Sequence, residues 1–261
     1  MTAPFDPVPA ARFLADVWHG SMQVAELPQA IRPTNIEEGY DVQDRLVDLL
    51  GIPVIGWKLG VGSAKLKQQS GVGRSIAGRV LGNRRYDPGA TVKLSFAAPV
   101  TIEFEIAFVL GHDIDHRFTG DPRSKIAETR VTFELVMARF VDRRSVGWPS
   151  FAADDSGFEA LIVGERIDER QIPQLVSSLV VSVDGLEKAR AAAGEDATDP
   201  YGALADLISI ARERRMVLPK GSIISTGSAS MPFAVTSPKG EVSASYLGKN
   251  LAFKFEAPAS S

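Results

Sequence analysis

Cysteine is absent from the chain, which excludes a disulfide framework, a thiolate metal site and a cysteine nucleophile. Any metal here must use oxygen and nitrogen donors. Histidine is scarce, with 3 residues in 261. Two of them lie in Gly111-His112-Asp113-Ile114-Asp115-His116, which follows an apolar run and precedes Thr119-Gly120-Asp121-Pro122. A solvated loop accounts for that stretch better than a metal site does. His19 closes the first helical pattern, where a cation suits the helix dipole, so a Ser-His-Asp hydrolase has little support. No charge of one sign dominates either: 29 Lys+Arg against 32 Asp+Glu give a formal charge of −3. That balance offers no footprint for nucleic acid or an anionic membrane. No stretch approaches the roughly 18 apolar residues of a membrane-spanning helix, and Met1 to Ala10 lacks the basic start and apolar core of a signal peptide. The expectation is a cytoplasmic protein with neither a nucleic-acid nor a membrane partner.

What is present is an ordinary globular composition, 44% hydrophobic and 23% charged, enough for one large domain or two small ones. Ala10 to Gly20 reads as a helix. A second begins at Asn35 as N-cap, with Glu38 closing a capping box and Ile36, Tyr40, Val47 and Leu50 on one face. Residues 1–50 therefore form a helical section. From Gly51 the texture changes to β-branched runs, Val54 to Leu59, Val92 to Phe96, Thr101 to Leu110 and Leu179 to Val183. Residues 51–261 are expected to be a β-rich catalytic body, continuous with the helices as one structural domain. Two helices should interrupt it, one from about Arg123 to Thr129 and one opened by Asp199 and Pro200, with Leu204, Leu207, Ile208 and Ala211 as its stripe. Gly240 to Glu256 reads as a closing hairpin after the turn Ser237-Pro238-Lys239-Gly240, and a polar Ala-Ser tail follows. Strands and helices do not alternate as in βαβ units, so the fold class is α+β.

The chemistry concentrates in carboxylates placed where strands should be apolar. Glu103 and Glu105 stand two apart in Thr101 to Leu110, so they share one face with Cα atoms about 6.5 Å apart. Glu134 interrupts another apolar run, Val131 to Phe140. Three such carboxylates would suit Mg2+ or Mn2+. They could equally line a solvated sheet face, paired with lysine or arginine, and spacing alone leaves both readings open. Lys58, in Gly56-Trp57-Lys58-Leu59-Gly60, is either functional or a snorkelling side chain, and taken alone the second is preferred. The nearby glycines form no phosphate loop. Two stretches of small polar residues, Phe151 to Phe158 and Ser225-Thr226-Gly227-Ser228, could offer hydroxyls and backbone N–H groups to an anion, or could simply be turns.

Taken in order, these pieces resemble the 2-keto-4-pentenoate hydratase and 4-oxalocrotonate decarboxylase group within the fumarylacetoacetate hydrolase superfamily. The likeness runs from the helix Ile36 to Gln43, through Gly56 to Gly60, Glu103-Phe104-Glu105, and Glu134 followed by Arg139. It continues in Ala153-Asp154-Asp155-Ser156-Gly157 and Thr226-Gly227. The resemblance implies a rolled, multilayer β structure with helices outside, and Mg2+ or Mn2+ held by Glu103, Glu105 and Glu134. It implies a catalytic Lys58 beside the substrate, and Leu59, Arg139, Asp155, Ser156, Thr226 and Gly227 as substrate-binding residues. It also implies a small 2-oxo acid substrate and a homo-oligomer, alone or complexed with a related family enzyme. Hydration of a 2-hydroxy-dienoate or 2-oxo-enoate in aromatic catabolism is the leading expectation. The alternatives are a 4-oxalocrotonate-type decarboxylase, an acylpyruvate-type carbon-carbon hydrolase, for which His19 lacks the expected glutamate partner, and a catalytically degenerate binding subunit. The chain departs from the family at Gly73-Arg74-Ser75, where relatives carry an acidic residue followed by Glu-Pro; Arg74 there would suit a dicarboxylate. Asp155 stands where Asn is usual.

Overall fold

The computed structural model describes residues 4–259, so the extreme N-terminus and the end of the Ala-Ser tail lie outside the described residues. Helices α1 (Val8–His19) and α2 (Ile36–Leu50) come first. Asn35 caps α2 by accepting from the Glu38 N–H (2.9 Å), while Glu38 reaches back one residue further than a standard capping box, to Thr34 N–H (2.7 Å) and hydroxyl (2.8 Å). Then follow β1 (Val54–Gly60), α3 (Ala64–Ser70), β2 (Ile76–Leu81), the short β3 (Arg85–Tyr86) and β4 (Thr91–Lys93), and the long pair β5 (Val100–Leu110) and β6 (Ile126–Val136). The chain continues through α4 (Gly147–Ala153), β7 (Phe158–Ile167), α5 (Ile172–Ser178), β8 (Val180–Val183), β9 (Leu186–Arg190) and α6 (Pro200–Glu213). It closes with β10 (Ile223–Ser228), β11 (Phe233–Val235), β12 (Lys239–Tyr246) and β13 (Lys249–Glu256).

The larger sheet runs β2-β1-β10-β5-β6-β7-β3, with β11 on the end of β5, and the smaller runs β4-β13-β12-β8-β9. Alternation along β5 decides which face meets what. Ile102, Phe104, Ile106 and Phe108 turn into the main core between the sheets, where Phe104 meets Tyr246 (5.4 Å) and Phe133 meets Phe253 (5.2 Å). The opposite face, carrying Glu103, Glu105 and Ala107, looks toward the helices. Ala107 and Leu161 join Trp18, Val47 and Leu50 there, and Val136 joins Leu14, Leu46 and Phe151 of α1, α2 and α4. Helices, large sheet and small sheet thus form layers, with the acidic residues of β5 under the helical layer.

Two expectations need correction. Arg123 to Thr129 is not a helix: Pro122–Lys125 is a single tight turn capped by Asp121, and Ile126 already opens β6, opposite Leu110. The long pairing with β5 overrides the helical propensity of this window. Among the described residues the body also contains four α-helices, because α3, α4 and α5 have seven residues each, too few for a periodic signal. Among the described residues no helix is long and apolar enough to cross a membrane.

Candidate metal centre

The β5–β6 register sets Glu103 directly opposite Glu134 and Glu105 opposite Thr132. Like charges in such pairs are unfavourable, yet one carboxylate oxygen from each of Glu103, Glu105 and Glu134 lies within 4.8 Å of the others. Glu105 is 0% exposed. Its Oε2 accepts from the Ser225 hydroxyl (2.6 Å) and the Gly227 N–H (3.0 Å), and Ser225 is in turn 2.8 Å from the Thr132 hydroxyl. Its Oε1 is buried with no hydrogen-bond partner. Glu134 Oε1 is ion-paired with Lys58 Nζ, 2.9 Å away, with no other close partner recorded among the described residues. Buried carboxylate oxygens without partners are costly. An all-oxygen set that includes one such atom, Glu105 Oε1, fits a divalent cation, which would hold Glu103, Glu105 and Glu134 together.

Lys58 is 2% exposed and donates to the Ser156 carbonyl (2.7 Å). It comes to this position because β1 lies between β2 and β10, with Lys58 opposite Gly78 and Ser225. A Cβ at Gly78 would stand 2.7 Å from the Asp155 carbonyl oxygen and 2.9 Å from Lys58 Cε, so only glycine lets loop and lysine approach there. The loop itself is strained. Asp155, Ser156 and Gly157 all have positive φ, at 49°, 52° and 68°, a run that clusters at functional sites. Asp155 Oδ1 accepts from the Arg79 N–H (2.6 Å), while its Oδ2 is buried without a partner.

The remaining sequence-selected residues are placed differently. Arg139 is buried against the Met137 and Phe158 carbonyls (3.1 and 2.8 Å) and Glu159 (3.4 Å), under Trp18 (3.6 Å to the ring). Its backbone N–H holds Asp154 (2.7 Å), so it braces the acidic loop. Leu59 turns its side chain into the main core, and only its carbonyl comes close to Gly227. Thr226 spends its hydroxyl on the Ile106 carbonyl (2.7 Å). Gly227, at φ +95°, aims its N–H at Glu105. Arg74 grips Glu213 (2.8 and 2.6 Å) and Glu37 (3.3 Å), which corrects the expectation that it faces a dicarboxylate. Thr132 and Gly78 carried no sequence signal as site residues, whereas Ser225 and Phe151 lie at the starts of the two small polar stretches that could serve an anion.

Burial, added to by Glu134 and Glu103, pushes the Glu105 carboxyl well above its ordinary range. Burial lifts Glu134 to about 7 against the pull of Lys58, and lifts Asp154 and Asp155 to about 7 against Arg139 and the Arg79 N–H respectively. Groups raised in the folded state bind more protons folded than unfolded, so their stabilisation is full below pH about 4 and is lost as pH rises through about 7. The metal-free protein should therefore melt at a progressively lower temperature between pH 5 and 8, and Mg2+ should reverse the trend at the alkaline end. A metal-free melting curve flat across that range would contradict these shifts.

No family model matches the chain. In sequence it is similar to 2-keto-4-pentenoate hydratase of Paraburkholderia xenovorans, 27% identical over 143 residues, 53% of this chain and 52% of that one. It is also similar to 4-oxalocrotonate decarboxylase of a Pseudomonas species, 24% identical over 187 residues, 71% and 72% of the two chains. The chain thus spans about half the length of the hydratase it matches. In structure it is similar to 4-oxalocrotonate decarboxylase from Pseudomonas putida G7 complexed with magnesium and adipate, with TM-score 0.83 and 20% identity over 98% of this chain and 99% of that one. The expected α+β, fumarylacetoacetate hydrolase-like fold is the one observed. The resemblance to the hydratase and decarboxylase group holds in both comparisons.

Proposed function

We propose that this protein is a divalent-metal-dependent lyase acting on a small 2-oxo or 2-hydroxy-dienoic acid, with hydration as the first reading. The carrying observation is the triad of converging carboxylates, in which Glu105 Oε1 is buried without a partner and Glu134 Oε1 is met by Lys58 Nζ at 2.9 Å. Magnesium or manganese bound there supplies a Lewis acid for the carboxylate and 2-oxo oxygens of the substrate. Ser225 and Gly227 orient Glu105 so that its free oxygen faces the centre. Lys58, fixed by the Ser156 carbonyl, holds a proton at Nζ beside Glu134 and is the group placed to deliver one to the substrate carbon chain. Asp155 Oδ2, partnerless in the strained loop, is a second proton carrier. Enclosure of these groups keeps bulk water from the reacting carbon.

Decarboxylation is the second reading, favoured by the match of fold to a decarboxylase along nearly the whole chain and by Gly73 where the hydratases resembled carry an acid. Mg2+-loaded protein given 2-hydroxypenta-2,4-dienoate and 4-oxalocrotonate, with ultraviolet absorbance and CO2 release followed, separates the two. Consumption of neither would defeat both readings and favour a binding subunit. The proposal extends to a cytoplasmic homo-oligomer, alone or with a related enzyme, in which residues 1–50 and 51–261 act as one continuous domain.

A further inference from the structure

Glu105 is held from both strands that flank it. Thr132 stands opposite it on β6, and Ser225 lies on β10, paired with Ala107. All three side chains are buried, so no bulk water competes for their hydrogen bonds. A hydroxyl has a single proton to give. Ser225 gives its own to Glu105 Oε2 at 2.6 Å, so the 2.8 Å contact between the two hydroxyls requires Thr132 to be the donor. The chain of donors therefore runs from Thr132 to Ser225 to Glu105. The register of β10 against β5 shifts between Ser225 and Ser228, and inside that bulge the Gly227 N–H reaches the same Oε2 at 3.0 Å. With two donors on it, Oε2 has both of its lone pairs engaged. Glu105 is left with Oε1 alone to offer a cation, an atom that is buried and has no hydrogen-bond partner among the described residues.

We propose that Thr132, acting through Ser225, is a positioning residue that restricts Glu105 to one metal-facing oxygen and thereby weights the centre toward Mg2+ against Ca2+; this rests on the metal-dependent function proposed above. The two cations differ in what they ask of a carboxylate. Ca2+ takes about six to eight oxygens in a flexible shell and commonly uses both oxygens of one carboxylate, whereas Mg2+ needs a tight octahedron. A glutamate confined to one oxygen suits the second cation and withholds a ligand from the first. Threonine is suited to the part because its branched side chain is stiff at χ1, which keeps its hydroxyl on Ser225. Without that donor Ser225 is free to turn its proton away, and Oε2 becomes available.

Calorimetric titration of the metal-free protein with Mg2+ and with Ca2+, in the absence of substrate, tests this directly. Thr132→Val keeps the branched shape and removes the hydroxyl; Mg2+ affinity should fall about 10- to 100-fold, while Ca2+ affinity holds or rises, so the ratio of the two falls by at least that factor. Ser225→Ala interrupts the same chain and should shift the ratio in the same direction, and it carries the test should Thr132→Val not fold. Combining the two should add little to Ser225→Ala alone, because both act on one oxygen. Thr132→Ser, which restores the donor, should recover the wild-type ratio. A general loosening of the site would weaken both metals alike. Equal losses for Mg2+ and Ca2+, or an unchanged ratio in both single variants, overturn the role of Thr132 and leave the metal-dependent reading standing. Failure of wild type to bind either cation overturns that reading and the proposal with it.

Discussion

Replacing Glu105 with glutamine should abolish Mg2+ binding and, in the metal-free protein, raise the temperature of unfolding. Both effects follow from one geometry. Glu105 has one oxygen fully engaged by Ser225 and Gly227 and one with no partner, in a position with no exposure and with Glu134 and Glu103 close by. Without a cation, that negative charge is held at a cost in desolvation and repulsion. Glutamine keeps an oxygen for Ser225 and Gly227, and its amide can donate toward Glu134, so a penalty becomes a hydrogen bond. In a chain of this size each kcal/mol recovered shifts the midpoint by about 2–4 °C. Metal affinity should fall by more than the about 10- to 100-fold that loss of an outer-shell partner costs. Calorimetry with Mg2+ and Mn2+, and melting curves with and without metal, check both halves. Retained affinity would remove Glu105 from the metal site, and a lower metal-free melting temperature would mean that the carboxylate is not held at a cost.

How much of this could be read from the sequence depends on whether the cause is local. Alternation along β5 was legible because a strand has period two, and it placed Glu103 and Glu105 on one face before any partner was known. The facing position of Glu134 was not, since register depends on a pairing between segments some thirty residues apart, Glu103 with Glu134. Lys58 shows the same limit more sharply. On its own strand it reads as a snorkelling lysine, and it becomes a buried one through Ser156, 98 residues away. Arg74 was visible as a charge, but its commitment to Glu213, 139 residues on, was not. Conversely, local propensity misled at Arg123 to Thr129, where a single turn gives way to a strand that β5 imposes. Small turn-forming residues in Asp155-Ser156-Gly157 marked a loop, but the three consecutive positive φ values that present its carbonyl to Lys58 are tertiary in origin.

Lys58→Met should produce the other large effect, and its dependence on metal is what identifies the lysine's part in the centre. Methionine fills a similar space but removes the ammonium, leaving the Ser156 carbonyl without its donor and Glu134 without its cation. Removing one member of a buried ion pair costs about 3–5 kcal/mol, because the other charge stays uncompensated. Glu134 should respond by titrating above the value of about 7 that it holds beside Lys58, since burial then acts on it with its main opposing charge gone. Its penalty would again be greatest at alkaline pH. Saturating Mg2+ should restore much of the lost stability by supplying a cation to the same carboxylate, and metal affinity should be unchanged or higher. Turnover should still fall by about 100- to 10,000-fold, the usual contribution of a positioned proton donor. Denaturant unfolding with and without Mg2+, run beside turnover of both candidate substrates, measures each effect. Equal destabilisation in the two metal states would show that Lys58 does not share Glu134 with a cation, and undiminished turnover would make it a purely structural lysine.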